Sequence, residues 1–135
     1  MSLRSIPLII VVLILYNVLV ALLGPEILSK LLLPEIKLPS GGVLEFTWGD
    51  FIVLLTFIML FIEIVKATYT STASLIDHGL SMLVFVACLI EFLITPLAAN
   101  SVFFMIMVAA LIDVVAGYTI GIRVARRDLT FGHGG

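Results

Sequence analysis

The sequence predicts an all-α fold, a polytopic transmembrane bundle of four helices, and three observations point to this fold class. Hydrophobic residues make up 62% of the 135-residue chain and charged residues 12%, whereas soluble domains have about half and about a quarter. Four apolar stretches are each long enough to cross a bilayer as a helix. The stretches lack the alternation of apolar and polar residues that barrel strands show. We therefore expect one membrane domain, residues 1–135.

The four predicted spans cover about residues 6–23, 50–69, 74–95 and 101–124. Each holds about 18–24 residues, which at ~1.5 Å per residue gives about 27–36 Å, enough for a hydrocarbon layer of ~30 Å. The first stretch is interpreted as a retained span, because it is longer than a signal-peptide core and Gly24-Pro25 is a poor cleavage site. Residues 125–135 are predicted to form a cytoplasmic tail.

Capping signals mark the helix boundaries. Thr47 at the N-cap and Asp50 at the third helical position form a capping pair before the second helix, and Ser74 with Asp77 repeats that spacing before the third. Asn100 is suited to cap the fourth helix.

The loop of residues 24–49 is the longest connection between spans. Pro25 to Leu33 is predicted as a short interfacial helix, with Leu31, Leu32 and Leu33 entering the membrane surface. The stretches 36–38 and 43–46 alternate around a turn at residues 39–42, which indicates a small β-hairpin. The loop either caps the bundle or binds a partner.

The distribution of Lys and Arg predicts the orientation. With four spans, both termini and the loop between the second and third spans lie on one side of the membrane. Five basic residues fall on that side and two on the other, which places both termini in the cytoplasm. The first group is Arg4, Lys66, Arg123, Arg126 and Arg127, and the second is Lys30 and Lys37.

Charged residues inside the spans are candidate sites, because a charge at the bilayer centre costs at least ~2.5–3.5 kcal/mol. Glu63 and Lys66 lie three residues apart on one face of the second span. They form either an ion pair, with Lys66 reaching the inner surface, or a proton or cation site.

The third span carries polar residues on one face. Asp77 is expected to cap the helix, and His78 to contact headgroups or a neighbouring helix rather than to ligate. Glu91 either faces water at the outer rim or points inward towards Asn17 or Tyr16. An inward carboxylate would be able to carry a proton.

The fourth span combines an acid with small residues at intervals of four. Ala109, Asp113, Gly117 and Gly121 share a face that allows close helix approach, either within the bundle or between two copies. We expect Asp113 to be protonated or hydrogen-bonded there. Beyond this face, Arg123, Arg126 and Arg127 form a basic cluster that either binds anionic lipid or only fixes the orientation.

The chain resembles a group of uncharacterised four-span inner-membrane proteins of bacteria. The residues that carry this resemblance are Trp48-Gly49-Asp50, the run from Ser74 to Val86, Glu91-Phe92 and the segment from Arg123 to Asp128. The resemblance implies the topology and a location in the bacterial inner membrane, and it implies no activity.

Several classes of function are excluded by the sequence. A net charge of −2 does not suit nucleic-acid binding, and a lone cysteine, Cys88, excludes an internal disulfide and a cysteine-based zinc site. No nucleophile–base pair, metal-ligand set or phosphate-binding loop is evident, so neither an enzyme nor a cofactor is expected.

The sequence therefore predicts an accessory or partner-binding membrane subunit. Its expected partners are the lipid bilayer and either another copy of the chain or another membrane protein. The alternative is a small proton-coupled transporter or channel that uses Glu63, Glu91 and Asp113.

Overall fold

The computed structural model describes the backbone of residues 6–68 and 72–134, and the side chains of these except 72–74, 124, 125 and 127–134. Four α-helices lie in these ranges, namely α1 (Ile9–Leu23), α2 (Trp48–Lys66), α3 (Thr72–Ile94) and α4 (Ser101–Gly134). We call the end of the bundle where α2 ends and α3 begins the inner end, and the opposite end the outer end.

Three helices are long and apolar enough to cross a membrane, which confirms the prediction of a helical membrane protein. They are α2, the Leu75–Ile94 part of α3 and the Ser101–Arg123 part of α4. The α1 helix is also apolar, but it has 15 residues, or about 22 Å. It begins at Ile9 rather than at residue 6, and the residue before a proline, here Ile6, is disfavoured in the helical conformation.

Two of the three predicted caps are confirmed. The Asp50 N–H donates to Thr47 Oγ1 (3.1 Å) and the Thr47 N–H donates to Asp50 Oδ2 (3.0 Å), which forms a capping box. Asn100 Oδ1 accepts a bond from the Phe103 N–H at the start of α4. The capping pair predicted at Ser74 and Asp77 is wrong, because α3 begins at Thr72 and Asp77 lies inside the helix.

The α4 helix is longer than the predicted span. It continues through the residues assigned to the tail after residue 124 and ends at Gly134. The arginines and leucine of this segment are good helix formers, whereas glycine favours a helix end.

The outer loop contains the predicted hairpin and a shorter helical turn than expected. Strands β1 (Ile36–Lys37) and β2 (Val43–Leu44) pair antiparallel. A 3₁₀ turn spans Pro25–Ser29, and its Ile27 and Leu28 are buried against the bundle. These two contacts fix the turn to the protein, so the interfacial helix predicted as far as Leu33 does not form.

The core lies around α4, which packs mainly against α2 and α3. Tyr16, Ile52, Cys88, Phe103 and Ile106 are fully buried. At the outer end, the Tyr16 and Phe103 rings meet edge to face, with centroids 5.1 Å apart. The outward faces of the helices expose many large apolar side chains, as contact with lipid requires.

Candidate functional site

Three buried carboxylates meet in the inner half of the bundle, each from a different helix. Glu63 of α2, Asp77 of α3 and Asp113 of α4 are 1%, 2% and 4% exposed. Buried charges are stable only when they are paired or neutralised. All three were among the predicted intramembrane polar sites, although Asp77 was expected to cap its helix, and the fold brings them into one region of the bundle.

Lys66 is the centre of this cluster. Its ammonium lies 2.9 Å from Glu63 Oε1 and 3.4 Å from Asp77 Oδ1. The Glu63–Lys66 ion pair is one of the two alternatives that the sequence left open. Lys66 does not extend freely to the inner surface, because its side chain is 11% exposed. Its interaction with Asp77 explains why that residue does not serve as a cap.

The segment before α1 completes the cluster through its backbone. The Lys66 ammonium donates to the Ile6 carbonyl (2.7 Å), and the Leu8 N–H donates to Glu63 Oε1 (2.7 Å). The sequence reasoning did not find these two contacts, because backbone groups carry no residue-specific signal. Pro7 between them was the available clue, since proline holds such a segment outside a helix.

Ser81 connects the inner carboxylates of α3 and α4. Its hydroxyl donates to the Asp77 carbonyl (2.9 Å), and its side chain also interacts with the Asp113 carboxylate. Glu63 and Asp77 are close enough for their carboxyl groups to interact directly. Within the described part of the chain, Glu63 Oε2 is buried without a hydrogen-bond partner.

The charges in the cluster do not balance. Fully ionised, Glu63, Asp77 and Asp113 would carry three negative charges, whereas, among the described residues, Lys66 contributes one positive charge through its ion pairs. The imidazole of His78 also lies close enough to Glu63 and Lys66 to interact with their charges. Two carboxylates sharing a site cannot both ionise without a large cost. A proton held between the interacting carboxyl groups of Glu63 and Asp77 would reduce this cost. We call Glu63, Lys66, Asp77, Ser81 and Asp113 the inner cluster.

His78 fills the notch that the glycines of α4 create. A Cβ atom added to Gly117 would lie 2.9 Å from His78 Nδ1, and one added to Gly121 would lie 3.1 Å from His78 Nε2. The imidazole also contacts the Tyr118 ring, with centroids 5.6 Å apart. The predicted small-residue face, which includes buried Ala109, therefore packs within the bundle at its glycines, and His78 contacts a neighbouring helix as expected.

A second polar group lies at the outer end. The Asn17 amide donates to Glu91 Oε1 (3.2 Å). Glu91 therefore points inward, which is one of its two predicted orientations, and bonds to Asn17 as that alternative expected. The Tyr16 hydroxyl donates to the Leu97 carbonyl (2.6 Å) and accepts a bond from the Asn100 amide.

An apolar layer separates the two polar groups. Val12, Val84, Ile106 and Ala110 are buried between them along α1, α3 and α4. On α2 the buried polar side chain between the two groups is Thr56, whose hydroxyl donates to the Ile52 carbonyl of its own helix. On α3, Ser81 and Glu91 are ten residues apart, which corresponds to about 15 Å. The inner cluster and the outer group are thus distinct sites in this conformation.

The predicted basic cluster is described only in part. Arg123 and Arg126 are exposed, and Arg126 has an interaction partner. The side chain of Arg127 lies outside the described residues. Anionic-lipid binding at this cluster therefore stays a prediction.

No protein-family model matches this chain, and no curated protein or solved structure is similar to it.

The His78 notch predicts opposite effects for two glycine-to-alanine substitutions. Gly117→Ala should destabilise the bundle, since overpacking costs about 1–3 kcal/mol and the ring is confined by Gly121 and Tyr118. Gly79→Ala is the control, because a Cβ there meets nothing within 4 Å, and alanine gains up to about 1 kcal/mol in a helix. Thermal unfolding of both variants in detergent measures the difference.

Replacing His78 with Ala in the Gly117→Ala background should restore stability relative to Gly117→Ala alone. If Gly117→Ala unfolds at or above the temperature of Gly79→Ala, His78 does not confine this face of α4.

Proposed function

We propose that the protein binds and releases protons inside the membrane at the inner cluster, as a small proton-coupled transporter. The observation that carries this proposal is the grouping of three buried carboxylates around a single lysine. This grouping supports the transport alternative because two of the acids considered for it, Glu63 and Asp113, lie in the cluster.

The energetics favour bound protons that can exchange. Burying an unpaired charge away from water is costly, so the two carboxylates in excess of Lys66 would remain neutral in the resting state. Loss of a proton becomes favourable when another cation compensates the charge or when the cluster opens to water. A carboxyl group that loses its proton when a second cation binds can couple the movement of protons to the movement of that cation.

The inner side is the access route that the arrangement supports. Lys66 and the backbone of residues 6–8 lie between the carboxylates and the inner end, and two hydrogen bonds join that segment to Glu63 and Lys66. The apolar layer closes the outer side. Alternating access would require a second conformation in which this layer opens.

A count of exchangeable protons tests the proposal. Asp77→Asn and Asp113→Asn keep side-chain size and should each reduce proton uptake by purified protein across the neutral pH range, by up to one proton per chain. Glu45→Gln in the exposed outer loop is the control and should leave uptake in that range unchanged. Potentiometric titration against a detergent blank measures the uptake.

In proteoliposomes, an imposed pH gradient should drive proton flux through the parent protein and through the Glu45→Gln variant, but not through the Asp113→Asn variant. Identical titration curves for all variants would contradict the proposal, because the cluster would then hold no exchangeable proton.

The accessory-subunit hypothesis has its own supporting observation. The hairpin exposes apolar side chains on both strands, namely Ile36, Leu38, Val43 and Leu44, and exposed apolar patches of this kind mark interaction surfaces.

If the hairpin binds a partner protein, a stoichiometric partner should co-purify from gently solubilised membranes and be lost when Leu38 and Val43 are replaced by Ser. Purification of the chain alone in both cases would count against this hypothesis.

We further propose that α1 is a fourth span and that both termini are cytoplasmic in a bacterial inner membrane. Leu8 lies level with Glu63 near the end of α2, and Leu28 packs on Gly49 near its start, so α1 and the turn after it cover nearly the length of α2. The location in the inner membrane follows from the resemblance and the orientation from the distribution of basic residues.

Reporter fusions test this orientation. A reporter inserted after Ser40 should be active on the periplasmic side, and one fused after Gly135 on the cytoplasmic side. A reporter fused before Met1 should lie on the same side as the one after Gly135. If it lies instead on the side of the reporter after Ser40, α1 is not a span.

A further inference from the structure

A groove between α1 and α3 opens on the outside of the bundle beside the inner cluster. Its volume is about 390 Å³, within the range of small-molecule sites. All of the described residues that line it are apolar, among them Ile6, Pro7, Ile10, Leu80 and Leu83. At this depth the groove faces lipid, so a ligand would reach it from the membrane.

The inner cluster lies directly behind the inner end of this groove. Ile6 and Pro7 line the groove, while the Ile6 carbonyl accepts a bond from Lys66 and the adjacent Leu8 N–H donates to Glu63. One short segment is therefore the wall between the apolar groove and the carboxylates. On α3, Asp77 lies on the same helix face as Val84, a lining residue seven positions away.

Together these features match a ligand with an apolar body and a positive charge. The groove offers apolar contact, and the cluster behind it has more acids than bases. Glu63 Oε2 is buried and lacks a partner among the described residues, so this oxygen would be available to a cation once residues 6–8 move aside. An acyl chain would fit the groove equally well, but it carries no positive charge that could pair with the excess carboxylates.

We propose that this groove binds lipophilic cations, which replace the bound proton at Glu63 and Asp77 when residues 6–8 move aside. This inference rests on the proposed function, because it names the second species that proton binding would be coupled to. Cation binding releases a proton to the inner side, so the net charge of the cluster is the same before and after the exchange.

Binding of tetraphenylphosphonium to the purified protein in nanodiscs tests the inference. Its Kd should increase as pH falls, by up to about tenfold per pH unit for one competing proton. Glu63→Gln and Asp77→Asn should each weaken binding at high pH and flatten this dependence. Asp77→Asn provides an independent test of the cluster if Glu63→Gln fails to fold.

A pair of tryptophan substitutions tests the groove without changing the cluster. Leu83→Trp should block binding by filling the groove. Leu93→Trp is the matched control on the same helix, because Leu83 and Leu93 are 63% and 69% exposed and Leu93 is not among the groove-lining residues. Equal binding by both tryptophan variants would overturn the groove assignment.

The remaining outcomes separate the two proposals. Binding that is independent of pH and unaffected by Glu63→Gln would show a groove for apolar bodies, such as an acyl chain, and would overturn the cation site. Normal proton uptake with no tetraphenylphosphonium binding would overturn this inference alone. Absence of both would also contradict the proposed function.

Discussion

The structure depends on a single buried ammonium group. Lys66 bonds to Glu63 on its own helix, to Asp77 on α3 and to the backbone before α1, so one side chain joins three parts of the chain. Removing one partner of a buried ion pair costs about 3–5 kcal/mol, because the other charge is left uncompensated. The same shortage of positive charge that makes Lys66 structurally essential leaves the carboxylates able to hold protons. Stability and proposed function therefore share one cause.

The interior of the bundle is organised as two polar groups with an apolar layer between them. In the outer group, hydrogen bonds pair Asn17 with Glu91 and Asn100 with Tyr16, whereas the inner cluster leaves one buried carboxylate oxygen of Glu63 without a partner among the described residues. We propose that this difference gives the outer group a structural role and the inner cluster a role in proton exchange. In that proposal, the apolar layer limits exchange to one side in this conformation.

Much of the fold could be predicted because the bilayer restricts the possible structures. Helix length, the Thr47–Asp50 capping box and the hairpin all follow from local sequence, and Glu63–Lys66 follows from a spacing of three residues. The position of Asp77 could not be predicted, because a short polar residue near a helix start fits a cap equally well. Only the tertiary structure shows that Lys66 binds it. The partner of the α4 glycines was likewise left open, since small residues permit close packing without specifying which helix approaches.

Infrared difference spectroscopy at neutral pH measures the central claim most directly, because protonated and ionised carboxyl groups absorb at different frequencies. We predict that the parent protein shows a protonated-carboxyl band that shifts in D₂O and is reduced in Glu63→Gln, Asp77→Asn and Asp113→Asn. Lys66→Met should increase this band, since loss of the ammonium leaves more charge for protons to neutralise. A spectrum with every carboxyl group ionised in the parent protein, and no increase in Lys66→Met, would contradict the account.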